Sequence, residues 1–292
     1  MRILICSDGM PASDAATRLG ATLSRGTGAE TVLLGIVEDS SHEAALRQAL
    51  EREAQQLQVA SVRPKIVTRA GEPIREILNE TSATSYDLVI VGAQHKGDSG
   101  LHWRSEKTYE LIKSISPPVL VAIGGCEQLK RFLICTGGRE FIDKALKLTG
   151  KFAAAVGASV TLLHVMAEPP AMYADLVQLE EDLDRLLQSK SELGLNLRRQ
   201  KEILERLGAK AEVRIRHGIV VDQVFAETRE GHYDLIVTGS TQALGVVRHY
   251  IMGDLTRQIL NRASCPVLVA RAGGIVGRSF WSIVKNAFTG NR

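Results

Sequence analysis

Short apolar runs alternate with amphipathic stretches along most of this chain. Leu4-Ile5-Cys6 and Leu88-Val89-Ile90-Val91 are apolar at consecutive positions, the pattern of strands covered on both faces. Ala12, Ala16, Leu19 and Leu23 fall on one stripe at helical spacing. The pattern predicts strands near 2–7, 30–37, 63–69, 86–92 and 118–123, and helices near 12–26, 42–58, 72–82 and 105–114. Strand–helix–strand units in succession imply right-handed crossovers and a parallel sheet.

The pattern then starts again. Leu4-Ile5-Cys6-Ser7 returns 129 residues later as Leu133-Ile134-Cys135-Thr136, and the same offset carries Ala16 to Ala145, Leu19 to Leu148 and Leu23 to Phe152. Gly71, Asp87-Leu88 and Gly92 return 147 residues later as Gly218, Asp234-Leu235 and Gly239, and Pro118-Val119-Leu120-Val121-Ala122 returns at 266–270. Registers of this kind do not arise by chance. The chain therefore reads as two tandem doubly wound α/β units, at 1–125 and 130–271, followed by a tail at 272–292.

The second copy holds 18 more residues in its middle. There Leu176, Leu179, Leu183, Leu186, Leu193, Leu197, Leu204 and Leu207 recur mostly at three, four or seven. This predicts an extended helix over 174–207, projecting or folded into a helical hairpin, with Gly194 weakening its middle. The acids Glu180, Glu181, Asp182 and Asp184 read as its solvated face, with a coiled-coil partner surface as the alternative.

Composition excludes several classes. With 45% hydrophobic and 24% charged residues the chain is that of a globular protein, and no apolar run reaches the ~18 residues of a spanning helix. Met1 to Asp8 reads as a first strand and lacks the apolar core of a signal peptide, so a cytoplasmic location is expected. The net charge is +3, but Arg271, Arg278, Lys285 and Arg292 place four positive charges in the last segment, so the two units themselves do not look like nucleic-acid binders. Cys6, Cys126, Cys135 and Cys265 show neither CxxC nor metal-ligand spacing, and read as small buried hydrophobes. In the tail, Phe280, Trp281, Val284 and Phe288 share one helical face. Three uses stay open for it: packing on its own domain, docking a protein partner, or contact with a membrane surface.

In an open parallel sheet, ligands bind beyond the carboxyl ends of the strands where the winding reverses. The loops concerned are Ser7-Asp8-Gly9-Met10-Pro11 and 92–105 in the first copy, and Thr136-Gly137-Gly138 and 239–254 in the second. Here a resemblance can be named. Asp8-Gly9 after the first strand, Asp87-Leu88-Val89-Ile90-Val91-Gly92 with its counterpart at 234–239, and the closing Cys265-Pro266-Val267-Leu268-Val269 resemble the universal stress protein family, in both halves.

That resemblance implies a Rossmann-like fold of the adenine nucleotide alpha hydrolase type, each half having five parallel strands in the order 3-2-1-4-5. In the family's ATP-binding members, the strand-1 Asp and main chain after strand 2 hold the adenosine. A G-x2-G-x9-G-[ST] loop holds the phosphates. Carried onto this chain, the site comprises Asp8, Gly9, Val37, Val91, Gly92, His95, Gly97, Arg104 and Ser105. His95 stands at the family's second Gly, and Arg104-Ser105 at the final Gly-Ser, where Ser105 would N-cap the fourth helix. The implied ligand is ATP or another adenine nucleotide, with or without Mg2+. In the second copy Gly137 replaces the Asp, Gln242 the second Gly, and Gly253 precedes Asp254 in place of Ser or Thr, so that site is expected to be degenerate.

Gly92 to Gly97 has G-x4-G spacing, but Asp98-Ser99 follows where a P-loop needs Lys-Ser/Thr, so a P-loop NTPase is rejected. There is no GxSxG, GxGxxG or HExxH, and His164 reads as a satisfied core residue. The expectation is a non-enzymatic stress-response or signalling protein, with slow ATP hydrolysis as a minor alternative lacking an identifiable base. A ligand-free tandem scaffold is the other reading. In both, the two copies pair as an internal pseudo-dimer, a homodimer is expected, and helix 174–207 or the tail recruits protein partners.

Overall fold

A computed structural model describes residues 1–93, 101–124, 128–137, 143–167, 183–242, 250–251 and 254–271. The first copy contains β1 (Arg2–Ser7), α1 (Pro11–Thr27), β2 (Glu30–Val37), α2 (Glu43–Val59), β3 (Lys65–Ala70), α3 (Pro73–Ala83), β4 (Leu88–Ala93), α4 (Leu101–Ser114) and β5 (Val119–Ile123). The second contains β6 (Arg131–Cys135), α5 (Asp143–Val156), β7 (Ser159–Met166), α6 (Leu183–Gln188), α7 (Glu192–Arg206), β8 (Lys210–His217), α8 (Val220–Gly231), β9 (Leu235–Gln242), β10 (Tyr250–Ile251), α9 (Asp254–Arg262) and β11 (Val267–Arg271).

Strands run in the order β3-β2-β1-β4-β5-β11-β9-β6-β7-β8, with β10 added to β9. Each half is thus the expected 3-2-1-4-5 parallel sheet. The halves are joined where β5 meets β11 antiparallel, with Leu120 opposite Leu268. One continuous sheet results, and the internal pairing of the copies is formed through their last strands. Helices α1, α2, α5 and α7 cover one face over Ile5, Leu33, Phe152 and Leu204. Helices α3, α4, α8 and α9 cover the other over Val89, Ile112, Phe225 and Ile259. Both faces of the central strands are covered, which is why their sequences are apolar without alternation.

Side chains reinforce the seam. Tyr109 on α4 donates its hydroxyl to the Asn261 Oδ1 at 2.6 Å and to the Arg257 carbonyl at 3.1 Å, both on α9. Arg257 in turn stacks over the Tyr109 ring. The buried Arg271 guanidinium, at the end of β11, donates to the carbonyls of Ile112, Ile115 and Pro117 and so caps the C-terminus of α4.

Two expectations need correction. The 174–207 segment is not one projecting helix: its described part is α6 and α7, broken at Ser189-Lys190-Ser191, with Ser191 accepting the Gly194 amide at 3.1 Å as N-cap of α7. A Cβ at Gly194 would lie 2.2 Å from the Leu186 carbonyl, so the glycine lets α6 fold back against α7, which is the hairpin alternative. Leu197 and Leu204 are fully buried beneath this layer. The second correction concerns α4, which begins at Leu101 and not at 105, because Leu101 to Arg104 contains no helix breaker after Gly100. Ser105 therefore sits inside the helix and is not its N-cap. The acids at 180–182 and the tail at 272–292 lie outside the described residues. Among the described residues no helix is long and apolar enough to cross a membrane.

Candidate functional site

The chain leaves β1 through Ser7-Asp8-Gly9-Met10, and the turn is built by local polar groups. Asp8 Oδ1 accepts the Met10 amide at 3.0 Å and Ser7 Oγ accepts the Gly9 amide at 3.0 Å. Gly9 has φ +73, in the region that favours glycine, and a Cβ there would lie 2.9 Å from the Ala49 Cβ of α2. Asp8 is exposed at the rim, and Pro11 opens α1 directly behind it.

Beyond the carboxyl ends of β1, β2 and β4 lies a cavity of about 670 Å³, lined by Asp8, Gly9, Val37, Val91 and Gly92. This is within the range of small-molecule sites, about 300–1,000 Å³. Apolar side chains from three helices complete it: Leu46 of α2, Ile74 and Ile77 of α3, and Leu111 of α4. The polar side chains of the lining are Ser7, Ser13, Asp8, Glu38, His42, Gln48, Arg52, Lys107 and Thr108. Cys6 also faces the cavity, but burial pushes its thiol up to about 12, so at neutral pH it stays protonated and is no nucleophile.

Under the base, Glu53 of α2 is buried among hydroxyls. Ser7 donates to its Oε1 at 2.6 Å and Thr17 to Oε2 at 2.9 Å, while Ser13 donates to the Met10 carbonyl at 2.7 Å with Oε1 3.3 Å away. These bonds satisfy a carboxylate that would otherwise be costly to bury. They also tie α1 and α2 to the end of β1, fixing the turn that presents Asp8.

Of the residues expected from sequence, the structure brings Asp8, Gly9, Val37, Val91 and Gly92 together around one cavity. Arg104 and Ser105 lie in the first half of α4. His95 and Gly97 are outside the described residues. Glu38, His42, Arg52, Glu53 and Lys107 were not anticipated. For Glu53 a signal existed, since its counterpart 147 residues on is Gln200, a change of charge at a buried position.

The second copy builds its crevice differently. Gly137 stands where Asp8 does, and Thr136 donates to Gln200 Oε1 at 2.9 Å where Ser7 meets Glu53. Gly35 is replaced by His164, whose Nδ1 lies 3.0 Å from the Thr136 carbonyl. That oxygen can only accept, so Nδ1 carries the proton. His164 is thus a hydrogen-bonded neighbour of the β6 terminus. Helix α9 starts at Asp254, whose negative charge suits a helix N-terminus and disfavours a phosphate there.

The model of the universal stress protein family matches residues 1–122 and 128–271. Universal stress protein MJ0531 of Methanocaldococcus jannaschii is 26% identical over 144 residues, 49% of this chain and 82% of that protein. A solved universal stress protein from Archaeoglobus fulgidus aligns with a TM-score of 0.68 at 18% identity, over 93% of this chain and 98% of that one. PA1789 from Pseudomonas aeruginosa, described as functionally unknown, aligns with a TM-score of 0.64 at 16% identity, over 93% and 92% of the two chains. These two structural likenesses speak to the fold.

Proposed function

Since this chain belongs to the universal stress protein family, with two of its domains in tandem, we propose that it is a cytosolic stress-response protein whose first domain binds an adenine nucleotide and whose second is structural. The observation carrying this reading is the cavity at the ends of β1, β2 and β4, which is open, largely apolar, and rimmed by Asp8. In this reading the main chain around Val37 and the apolar wall take the adenine, and the Asp8 carboxylate accepts from a ribose hydroxyl. The phosphate points toward Gly92 and the first half of α4. Bound ligand would order the surface around α4 and change what partners read. A homodimer would have to use a surface other than the fifth strands, since β5 and β11 are already paired with each other.

Isothermal titration with ATP and with AMP, with and without Mg2+, tests the proposal. Wild-type protein is expected to bind, and Asp8→Ala to bind at least about tenfold more weakly. No heat, together with no nucleotide released on denaturing the purified protein, would leave the ligand-free tandem scaffold as the reading.

A further inference from the structure

The cavity lining holds two acids, Asp8 and Glu38, and among the described residues three bases, His42, Arg52 and Lys107. Arg52 is engaged within its own helix, where its Nε donates to the Gln48 carbonyl at 3.4 Å. Lys107 behaves differently. It reaches from α4 across the opening, and its Nζ lies 3.5 Å from Glu38 Oε1, just beyond the end of β2. The ion pair therefore bridges the two walls between which a ligand would enter.

The side chains of Lys107 and Glu38 are 36% and 59% exposed, and pairs so well solvated contribute little to stability. Exchanging the carboxylate for another anion costs little, and a phosphate of higher charge gains. The glycine pattern that supplies phosphate-binding amides in the family is also incomplete here, with His95 at its second Gly. An ammonium on a flexible stem, almost two turns into α4, can supply a charge that amides would otherwise provide.

We infer that Lys107 is the side chain that reads the ligand's phosphate, and that Glu38 is the carboxylate it releases to do so. This rests on the nucleotide reading above and adds to it the group that distinguishes a nucleotide from a nucleoside. The two substitutions then have effects of opposite sign. Removing Lys107 abolishes the advantage of a phosphate, whereas neutralising Glu38 removes a competitor and increases that advantage.

The test is titration of the full chain with adenosine and with AMP. Wild type is expected to bind AMP about tenfold more tightly than adenosine, the size of one charge-assisted hydrogen bond. Lys107→Met binds both equally, Lys107→Arg keeps the preference for AMP, and Glu38→Gln tightens AMP by a few-fold. Adenosine affinity is measured for each variant, so that the ratio of AMP to adenosine affinity isolates the phosphate, and thermal melts verify that each variant is folded. If adenosine binds but Lys107→Met retains the wild-type preference, or Glu38→Gln weakens AMP, the role of Lys107 is overturned while the adenosine site stands. If wild type binds neither compound, the nucleotide reading itself fails and this inference falls with it.

Discussion

The two copies agree beneath the helices and disagree at the rim. On the side covered by α3 and α8, residues 147 apart do the same work in each half. Glu80 accepts from Arg69 and from Tyr86, the latter at 2.7 Å, and Glu227 accepts from Arg216 and Tyr233, both at 2.7 Å. Asp87 Oδ2 accepts the Arg2 amide, and Asp234 Oδ2 accepts the amides of Lys130 and Arg131. These pairs fasten strand starts and helices to the sheet. At the opposite ends of the strands the correspondence fails: Asp8 against Gly137, Gly35 against His164, Glu53 against Gln200, and Glu72, which caps α3, against Ile219, an exposed residue offering no cap. A domain needs its fastening whether or not it binds anything. Divergence of the rim beside a shared fastening is what is expected when one copy is relieved of a ligand.

The largest effect that could break this comparison lies in the shared fastening. Glu227 is fully buried and also accepts from Arg214 at 2.9 Å, so Glu227→Ala takes the buried acceptor from two guanidinium groups and a phenol, leaving Arg214 with Glu212 and Arg216 with Glu230. A loss of about 3–5 kcal/mol in urea denaturation is expected. Glu80→Ala should cost less, about 2 kcal/mol, because Arg69 is 36% exposed and can rehydrate, while Arg216 is 20% exposed. Burial pushes the Glu80 carboxyl up, but hydrogen bonds from Arg69 and Tyr86 outweigh it and hold the group below its ordinary 4.5. A carboxylate depressed on folding contributes stability that is present above 4.5 and lost as pH falls through the folded value. Wild type should therefore lose more stability than Glu80→Gln as the pH is lowered through that window. Equal acid sensitivity would show that this carboxylate is not the fastening described.

Strands and helices were legible because they depend on local periodicity, and the duplication made each register readable twice. Leu4 to Ser7 and Leu133 to Thr136 announce the same strand. The break at Ser189-Lys190-Ser191 was missed because the leucine spacing continues through it, whereas the hydroxyls that cap α7 act only on the backbone. At the site, main-chain positions such as Gly9 and Gly92 follow from where strands end. The Glu38–Lys107 pair does not, since the two residues come from β2's end and α4 and meet only once the sheet has wound. The Glu80 and Glu227 clusters were available at constant offset, but a buried carboxylate on a polar-looking helix position carries no periodic signal.

A smaller effect tests whether the second copy carries polar groups that serve nothing. Thr149 on α5 is fully buried and among the described residues its hydroxyl has no hydrogen-bond partner, while its counterpart in the first copy is Gly20. Burying an unsatisfied hydroxyl costs on the order of 1 kcal/mol. Thr149→Val keeps the shape and removes the polar atom, so urea denaturation should show stabilisation by about that amount. Destabilisation would mean that the hydroxyl has a use in the folded chain.

The smallest expected effect gives the sharpest comparison of the two rims. Gly137 occupies the place of Asp8, it is exposed, and among the described residues a Cβ there would meet nothing within 4 Å. Gly137→Asp should therefore change stability by less than about 0.5 kcal/mol. Introduced together with Asp8→Ala, it restores the carboxylate to the other crevice while removing it from the first. If the missing Asp were the whole difference between the copies, this exchange would move AMP binding from one domain to the other. The structure argues otherwise, because His164 still stands at the β6 terminus and Asp254 still opens α9 with a negative charge. Titration of the double variant with AMP should show binding no tighter than that of Asp8→Ala alone. A restored signal would mean that one carboxylate alone decides which copy is fit to bind.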